Sequence, residues 1–234
     1  MVSSLQNISL IRISIDLISA IMILKLLIVT FCFVYTIHCH GYMENPPARN
    51  SMWRYGFPNP KNYGDNELFC GGAMVMKRNG GKCGVCGDPY HAKVQHHADG
   101  GRYANGIITR TYKQGQVIDV DIYLTTSHRG YFEFRIGEFD NKKTSGNAIG
   151  KLNGHLMEVV SGPVSADGTR FQVLKYGRQK LNMKLKLPAG LKCKRCVLQW
   201  WYRGGNTWGC DKEGCGLGHG AQEHFVNCAD VSIQ

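Results

Sequence analysis

Eight of the chain's ten cysteines fall between Cys70 and Cys228, and no other feature narrows the possible folds as much. In an oxidising compartment an even set of this size means four disulfides on a loop-rich scaffold. In a reducing one it would mean metal or thiol chemistry. Cys83-Gly84-Val85-Cys86 and Cys193-Lys194-Arg195-Cys196 are both CxxC pairs, and two such pairs can build a zinc ribbon. A long stretch of chain separates them, which weakens the zinc reading. The full set is Cys70, Cys83, Cys86, Cys193, Cys196, Cys210, Cys215 and Cys228, and the sequence does not choose among its pairings.

The amino-terminal segment speaks for the oxidising compartment. Residues 18–37 are almost continuously apolar, broken mainly by Lys25. A membrane span needs ~20 apolar residues, so length alone would permit an anchor. The segment instead runs out through Tyr35, Thr36, Ile37, His38 and Cys39, with no basic stop-transfer cluster behind it. The expectation is a cleaved secretory signal over residues 1–39, with Met22 as a possible true start and Lys25 as its positive charge. Cleavage after Cys39 removes Cys32 and Cys39 and leaves the eight. The protein is then extracellular, without membrane attachment.

Residues 40–234 contain no linker, repeat or low-complexity run, so one domain is expected. Hydrophobic residues make up 43% and charged residues 19%, a globular composition. The formal net charge of +11 is spread along the chain. No basic run interleaved with aromatics appears, so nucleic acid is not an expected partner. A monomer is expected.

The first half, 40–105, is rich in Gly, Pro, Asn and aromatics and reads as long loops with short helical turns. The second half alternates. Ile118, Val120, Ile122 and Leu124 interleave with polar neighbours over 117–124; Phe132, Phe134 and Ile136 do so over 131–137; Met183, Leu185 and Leu187 over 182–187; Leu198, Trp200 and Tyr202 over 196–202. Residues 171–175 add a fifth candidate strand. Alternation with period two buries one face of each strand, as in antiparallel sheets. The fold class is all-β, a disulfide-rich β-sandwich.

If Cys39 is the last residue removed, His40 carries a free amine. Its amine nitrogen and its own Nδ1 can close a chelate ring on one metal ion, and a second histidine can complete three nitrogen ligands. Nitrogen donors in a plane suit Cu(II), which also heads the affinity order of divalent ions. The candidates for the second ligand are His91, His96, His97, His128, His155, His219 and His224. Adjacent histidines in an extended chain point to opposite faces, so His96 and His97 make a poor joint pair. His128 is preferred. It sits in a short connection between two strong strands, read as a rigid hairpin tip.

His40-Gly41 behind a signal, followed by Pro46-Pro47-Ala48-Arg49 and Ser51-Met52-Trp53-Arg54, resembles the lytic polysaccharide monooxygenases. The similarity is to the invertebrate type, auxiliary activity family 15. Further matching segments are Cys70-Gly71-Gly72, residues 83–88, 128–134 and 205–209, and 225–231. The resemblance implies an immunoglobulin- or fibronectin-like sandwich and a single copper ion held by His40 and His128. It implies Phe225 at the axial position, where many relatives carry Tyr. The implied activity is oxidative cleavage of glycosidic bonds in crystalline polysaccharide, chitin or cellulose, with O2 or H2O2 and an external electron donor, a small molecule or a protein. Chitin is preferred, because invertebrates remodel it. Glu223, with Gln222, is expected near the reacting oxygen. The substrate face is expected to use Tyr42 and Tyr55, with Trp53, Phe57 and Tyr63 as neighbours. Thr126 departs from the pattern, which often has Ala two residues before the second histidine.

Two other classes fit part of this pattern. A non-catalytic chitin-binding protein would need no copper, and a copper-binding or transfer protein would use the histidines without cutting sugar. An ordinary glycosidase needs two carboxylates flanking the bond, and no such pair stands out.

Overall fold

The computed structural model describes residues 22, 40–141, 144 and 151–234. The expected signal, apart from Met22, lies outside the described residues. Among those described, no helix is long and apolar enough to cross a membrane.

The alternating segments become strands of two facing sheets. One sheet runs β1 (His40–Asn45), β3 (Val117–Thr126), β8 (Gln179–Lys186) and β6 (Glu158–Val159). The other runs β2 (Arg110–Tyr112), β12 (His224–Ile233), β9 (Cys193–Arg203), β4 (His128–Glu138) and β5 (His155–Leu156), with β7 (Arg170–Tyr176) also paired to β4. Pairing is antiparallel except where β12 meets β2 in parallel. Ile118, Val120, Ile122 and Leu124 from one sheet meet Phe132, Phe134, Leu198 and Trp200 from the other in one buried core. Phe132 packs edge-on against Trp200 and Tyr202, at 5.3 and 4.9 Å between ring centres. Burying side chains of this size contributes about 1.5–3 kcal/mol each.

Two strands depart from the one-wet-face expectation. From Cys196 to Tyr202 every residue of β9 is buried, and β12 is buried from Phe225 to Ile233. The cause is the loop-rich first half, which forms a third layer over their outer face. There Trp201 and Val226 pack with Cys70, Met76 and Cys83, and Val197 and Cys228 pack with Val85 and Cys86. This layer holds the expected short helical turns, one of 3-10 type (Met52–Tyr55) and α1 (Ala73–Arg78).

All eight cysteines are paired: Cys70–Cys83, Cys86–Cys228, Cys193–Cys196 and Cys210–Cys215. No thiolates remain for a zinc ribbon. Cys86–Cys228 and a buried ion pair fasten the loop layer to β12. Arg49 donates from Nε and Nη2 to the two oxygens of Asp230 at 2.6 and 2.7 Å, and both residues are sealed from solvent. Asp230→Ala strands that guanidinium, although Asp99 also approaches it at 3.1 Å. The expected loss is about 3–5 kcal/mol, read from urea unfolding of the oxidised protein. A loss no larger than that of an exposed pair, about 0–1 kcal/mol, would show that the pair does not hold the layers together.

Candidate metal centre

β1 brings His40 to the edge where β3 ends. The register sets His40 opposite Thr126, and Thr125 Oγ1 donates to the His40 carbonyl at 3.1 Å. Gly41 is required next. A Cβ there would lie 2.5 Å from Leu124 Cδ2 and 2.9 Å from the Tyr123 carbonyl oxygen, so only glycine lets the first residues lie this close to β3. The Gly41 amide donates to Asn66 O at 3.0 Å, tying the strand to the loop layer. Thr126 therefore faces His40 across the pair, and a larger side chain there borders the first histidine directly.

His128 is not at a hairpin tip. β3 ends at Thr126 in one sheet and β4 starts at His128 in the other, so the chain crosses between layers with Ser127 alone in between. Ser127 closes the corner: its amide donates to Gly177 O at 3.0 Å and its hydroxyl to Lys175 O at 2.9 Å. The His128 amide donates to the Tyr202 hydroxyl at 3.0 Å, and that hydroxyl donates on to Arg129 O at 2.8 Å. A corner pinned at four points positions the imidazole more firmly than a hairpin would. His128 is 4% exposed.

β12 supplies the floor. Phe225, 1% exposed, has its ring centre 6.4 Å from that of His40 and 5.9 Å from that of Tyr202. Glu223 Oε2 lies 3.8 Å from His128 Nδ1. Gln222 turns elsewhere: its amide group bonds Thr207 N, Thr207 O and His219 O, which anchors the neighbouring hairpin. Glu67 enters unannounced by the sequence, with Oε1 3.6 Å from His40 Nε2.

Three of the other candidate histidines are engaged elsewhere. His97 holds Asp88 at 2.9 Å and stacks on Tyr103. His219 pairs with Asp211 at 3.0 Å. His224 Nδ1 accepts a bond from Trp201 Nε1 at 2.7 Å. Burial, then the nearby Arg203 and Lys151 cations, lower its pKa to about 3, so it stays neutral. Among the described residues no cluster of three His, Cys, Asp or Glu side chains could hold a metal.

The expected substrate aromatics divide. Tyr42 is 8% exposed, its ring packed on Tyr123 and under Arg54. Tyr55 is exposed, with its hydroxyl donating to Glu44. Tyr63 packs edge-on against Trp53. More prominent is a two-stranded tongue, β10 (Trp208–Asp211) and β11 (Gly214–Leu217), closed by Cys210–Cys215. Trp208 and Leu217 are cross-strand partners, 69% and 60% exposed. The tongue springs from residues bonded to the centre: the Gly205 amide donates to His128 O at 3.1 Å and the Gly204 amide to Glu223 O at 2.9 Å.

Nitrogen donors on a rigid all-β frame suit a metal-dependent oxidoreductase better than a hydrolase. The family described as "Lytic polysaccharide mono-oxygenase, cellulose-degrading" matches residues 40–231, and the chain belongs to it. A solved structure with which it shares 40% identity is the lytic polysaccharide monooxygenase AA15 from Thermobia domestica in the Cu(I) state. The match covers 83% of this chain and 98% of that one, with a TM-score of 0.73. A chitin binding domain from Burkholderia pseudomallei, at 12% identity and a TM-score of 0.44, covers 84% of this chain and 100% of its own. A comparison with curated protein sequences finds no match.

Proposed function

We propose that the protein is secreted, that its working form begins at His40, and that His40 and His128 hold one copper ion for oxidative cleavage of crystalline chitin. The observation that carries this is the strand register. It sets His40 against Thr126 and delivers His128 at the same corner, beside no competing cluster of metal-binding side chains among the described residues. The three nitrogens would be the His40 amine, His40 Nδ1 and His128 Nε2, a donor set copper favours. The relative of 40% identity is itself a Cu(I) protein. Bound there, copper supplies one-electron chemistry and the activation of O2 or H2O2.

The chain's own residues orient, exclude and move protons. Chelation through His40 Nδ1 would leave the ring proton on Nε2, the atom that lies 3.6 Å from Glu67 Oε1. A carboxylate behind a metal-binding imidazole fixes its tautomer and its plane. Glu223 stands in the same relation to His128 Nδ1. It therefore acts first on the ligand, and reaches reacting oxygen only from that position. Phe225 offers no donor atom, and its buried ring beside His40 would keep water from that side of the copper site. Trp208 and Leu217 extend an apolar surface outward from the centre on a disulfide-braced tongue, suited to the flat faces of sugar rings on a crystal surface.

Chitin is preferred to cellulose because the sequence motifs resemble invertebrate enzymes. The test is product analysis by mass spectrometry on β-chitin and on cellulose, with copper and a reductant. Oxidised chitooligosaccharides are expected. Oxidised cello-oligosaccharides alone would replace the substrate. With copper loaded, the absence of both would overturn the proposed function.

A further inference from the structure

Around the corner from His128, on the outward face of β4 and β7, lies an open cleft of about 640 Å³. Its wall is built by residues attached to the metal centre. Arg129 and Gly130 follow His128 in the chain, and the Gly205 amide donates to the His128 carbonyl. The neighbouring strand β7 adds Arg170 and Tyr176, which alternate with the core residues Phe171 and Val173, and the tongue adds Asp211, Lys212, Glu213 and Leu217.

Three arginines of the cleft lie over tyrosine rings. Arg129 is 5.6 Å from the centre of Tyr176, Arg170 is 4.4 Å from that of Tyr131, and Arg203 is 5.9 Å from the same Tyr131 ring. Arg170 is balanced by Glu133 at 3.0 Å. Arg203 spends its bonds on the carbonyls of Gly218 and Gly220, neutral acceptors that leave its charge in place. The carboxylate of Asp211, also in the cleft, is answered by His219 and by the amides of Glu213 and Gly220. Counting Lys212 and Glu213 as well, four cations (Arg129, Arg170, Arg203 and Lys212) face the three carboxylates of Asp211, Glu213 and Glu133, so the cleft keeps an excess of one positive charge.

Arg129 is the most deliberate of the three. It holds a left-handed backbone, φ 59°, which is uncommon outside glycine and costly enough to need support. The support is present. Its amide donates to Ser127 Oγ at 3.2 Å and its carbonyl accepts from the Tyr202 hydroxyl. The β4–β7 register slips between His128 and Gly130, a bulge that re-aims the side chain. At Gly130 a Cβ would lie 2.1 Å from Arg203 O, so the backbone has no alternative route. The result sends the imidazole of His128 into the site and the cation of Arg129 out into the cleft.

A neutral polysaccharide gains little from such an array. A small anion with a planar ring gains an arginine contact and a tyrosine face together. The monooxygenase reaction needs an external reductant. We propose that this cleft docks a small anionic reductant with an oxidisable ring, an enediolate or a carboxylated phenol, beside His128. The inference rests on His128 being a copper ligand. In the step it serves, the donor would give one electron to the copper that His40 and His128 would hold. The donor becomes its own radical, and its ring hydroxyl releases a proton to water.

The test is anaerobic stopped-flow reduction of the copper-loaded protein beginning at His40, with ascorbate as the anionic donor and catechol as the neutral one. Redox-inert benzoate should slow reduction by ascorbate competitively, leave catechol unaffected and leave the Cu(II) electron paramagnetic resonance spectrum unchanged. Arg129→Asn removes the charge and keeps a residue that tolerates the left-handed backbone. It should lower the rate constant for ascorbate about two- to fivefold, the scale of one exposed ion pair, with that for catechol unchanged. Equal slowing of both donors by the substitution, or no effect of benzoate in the parent protein, would overturn the cleft and leave the copper site standing. Failure of the protein to take up copper would instead overturn the proposed function, and the cleft's role with it.

Discussion

His128→Ala is expected to abolish tight copper binding while leaving the fold intact. Removing groups that merely orient a metal ligand typically costs about 10–100-fold in affinity, so loss of a ligand should exceed the upper end of that range. The corner itself should survive, because its hydrogen bonds come from the backbone of residues 127–129, from the Ser127 hydroxyl and from Tyr202, not from the imidazole. The control is His224→Ala. Its side chain is half-buried, neutral and bonded to Trp201, so its removal should lower thermal stability and leave copper affinity unchanged. Isothermal titration of both variants beside the parent separates the cases. Parent-like affinity in His128→Ala would identify another residue as the second ligand.

The sequence anticipated this centre unevenly, and the reasons are physical. Period-two alternation located β3, β4, β7, β8 and β9 to within a few residues, since one face of each must meet the core. It missed the second burial of β9 and β12, because a layer of irregular loop covers their outer face and loops carry no period. The crossing at Ser127 was also hidden. A short gap between two alternating runs is the signature of a hairpin, and nothing local distinguishes a chain that turns back within one sheet from one that steps to the other. Disulfide partners such as Cys86 and Cys228 are set by packing far along the chain. Glu67 carried no signal at all; it reaches His40 only because Asn66, beside it, accepts the Gly41 amide.

The glycine after His40 was visible from the start, and its cause emerges only in three dimensions: β1 must lie almost against Leu124 and Tyr123. For the proposed site, the bond between Cys39 and His40 is decisive. A form retaining Cys39, or bearing one added residue ahead of His40, is expected to lose copper affinity at least as far as His128→Ala does. The nitrogen of His40 would then be a peptide amide, whose lone pair is delocalised into the carbonyl and which carries no readily lost proton. The chelate ring through Nδ1 could not close, and a single imidazole from each histidine would remain. Strand β1 would still pair in the same register, since its bonds to Thr125 and Asn66 use the His40 carbonyl and the Gly41 amide. Copper binding should thus fall without a matching fall in thermal stability of the copper-free protein. Intact mass and amino-terminal sequencing of the secreted product, followed by titration of the extended form, decide it. Secreted protein starting elsewhere than His40 and still binding copper tightly would remove the amine from the mechanism.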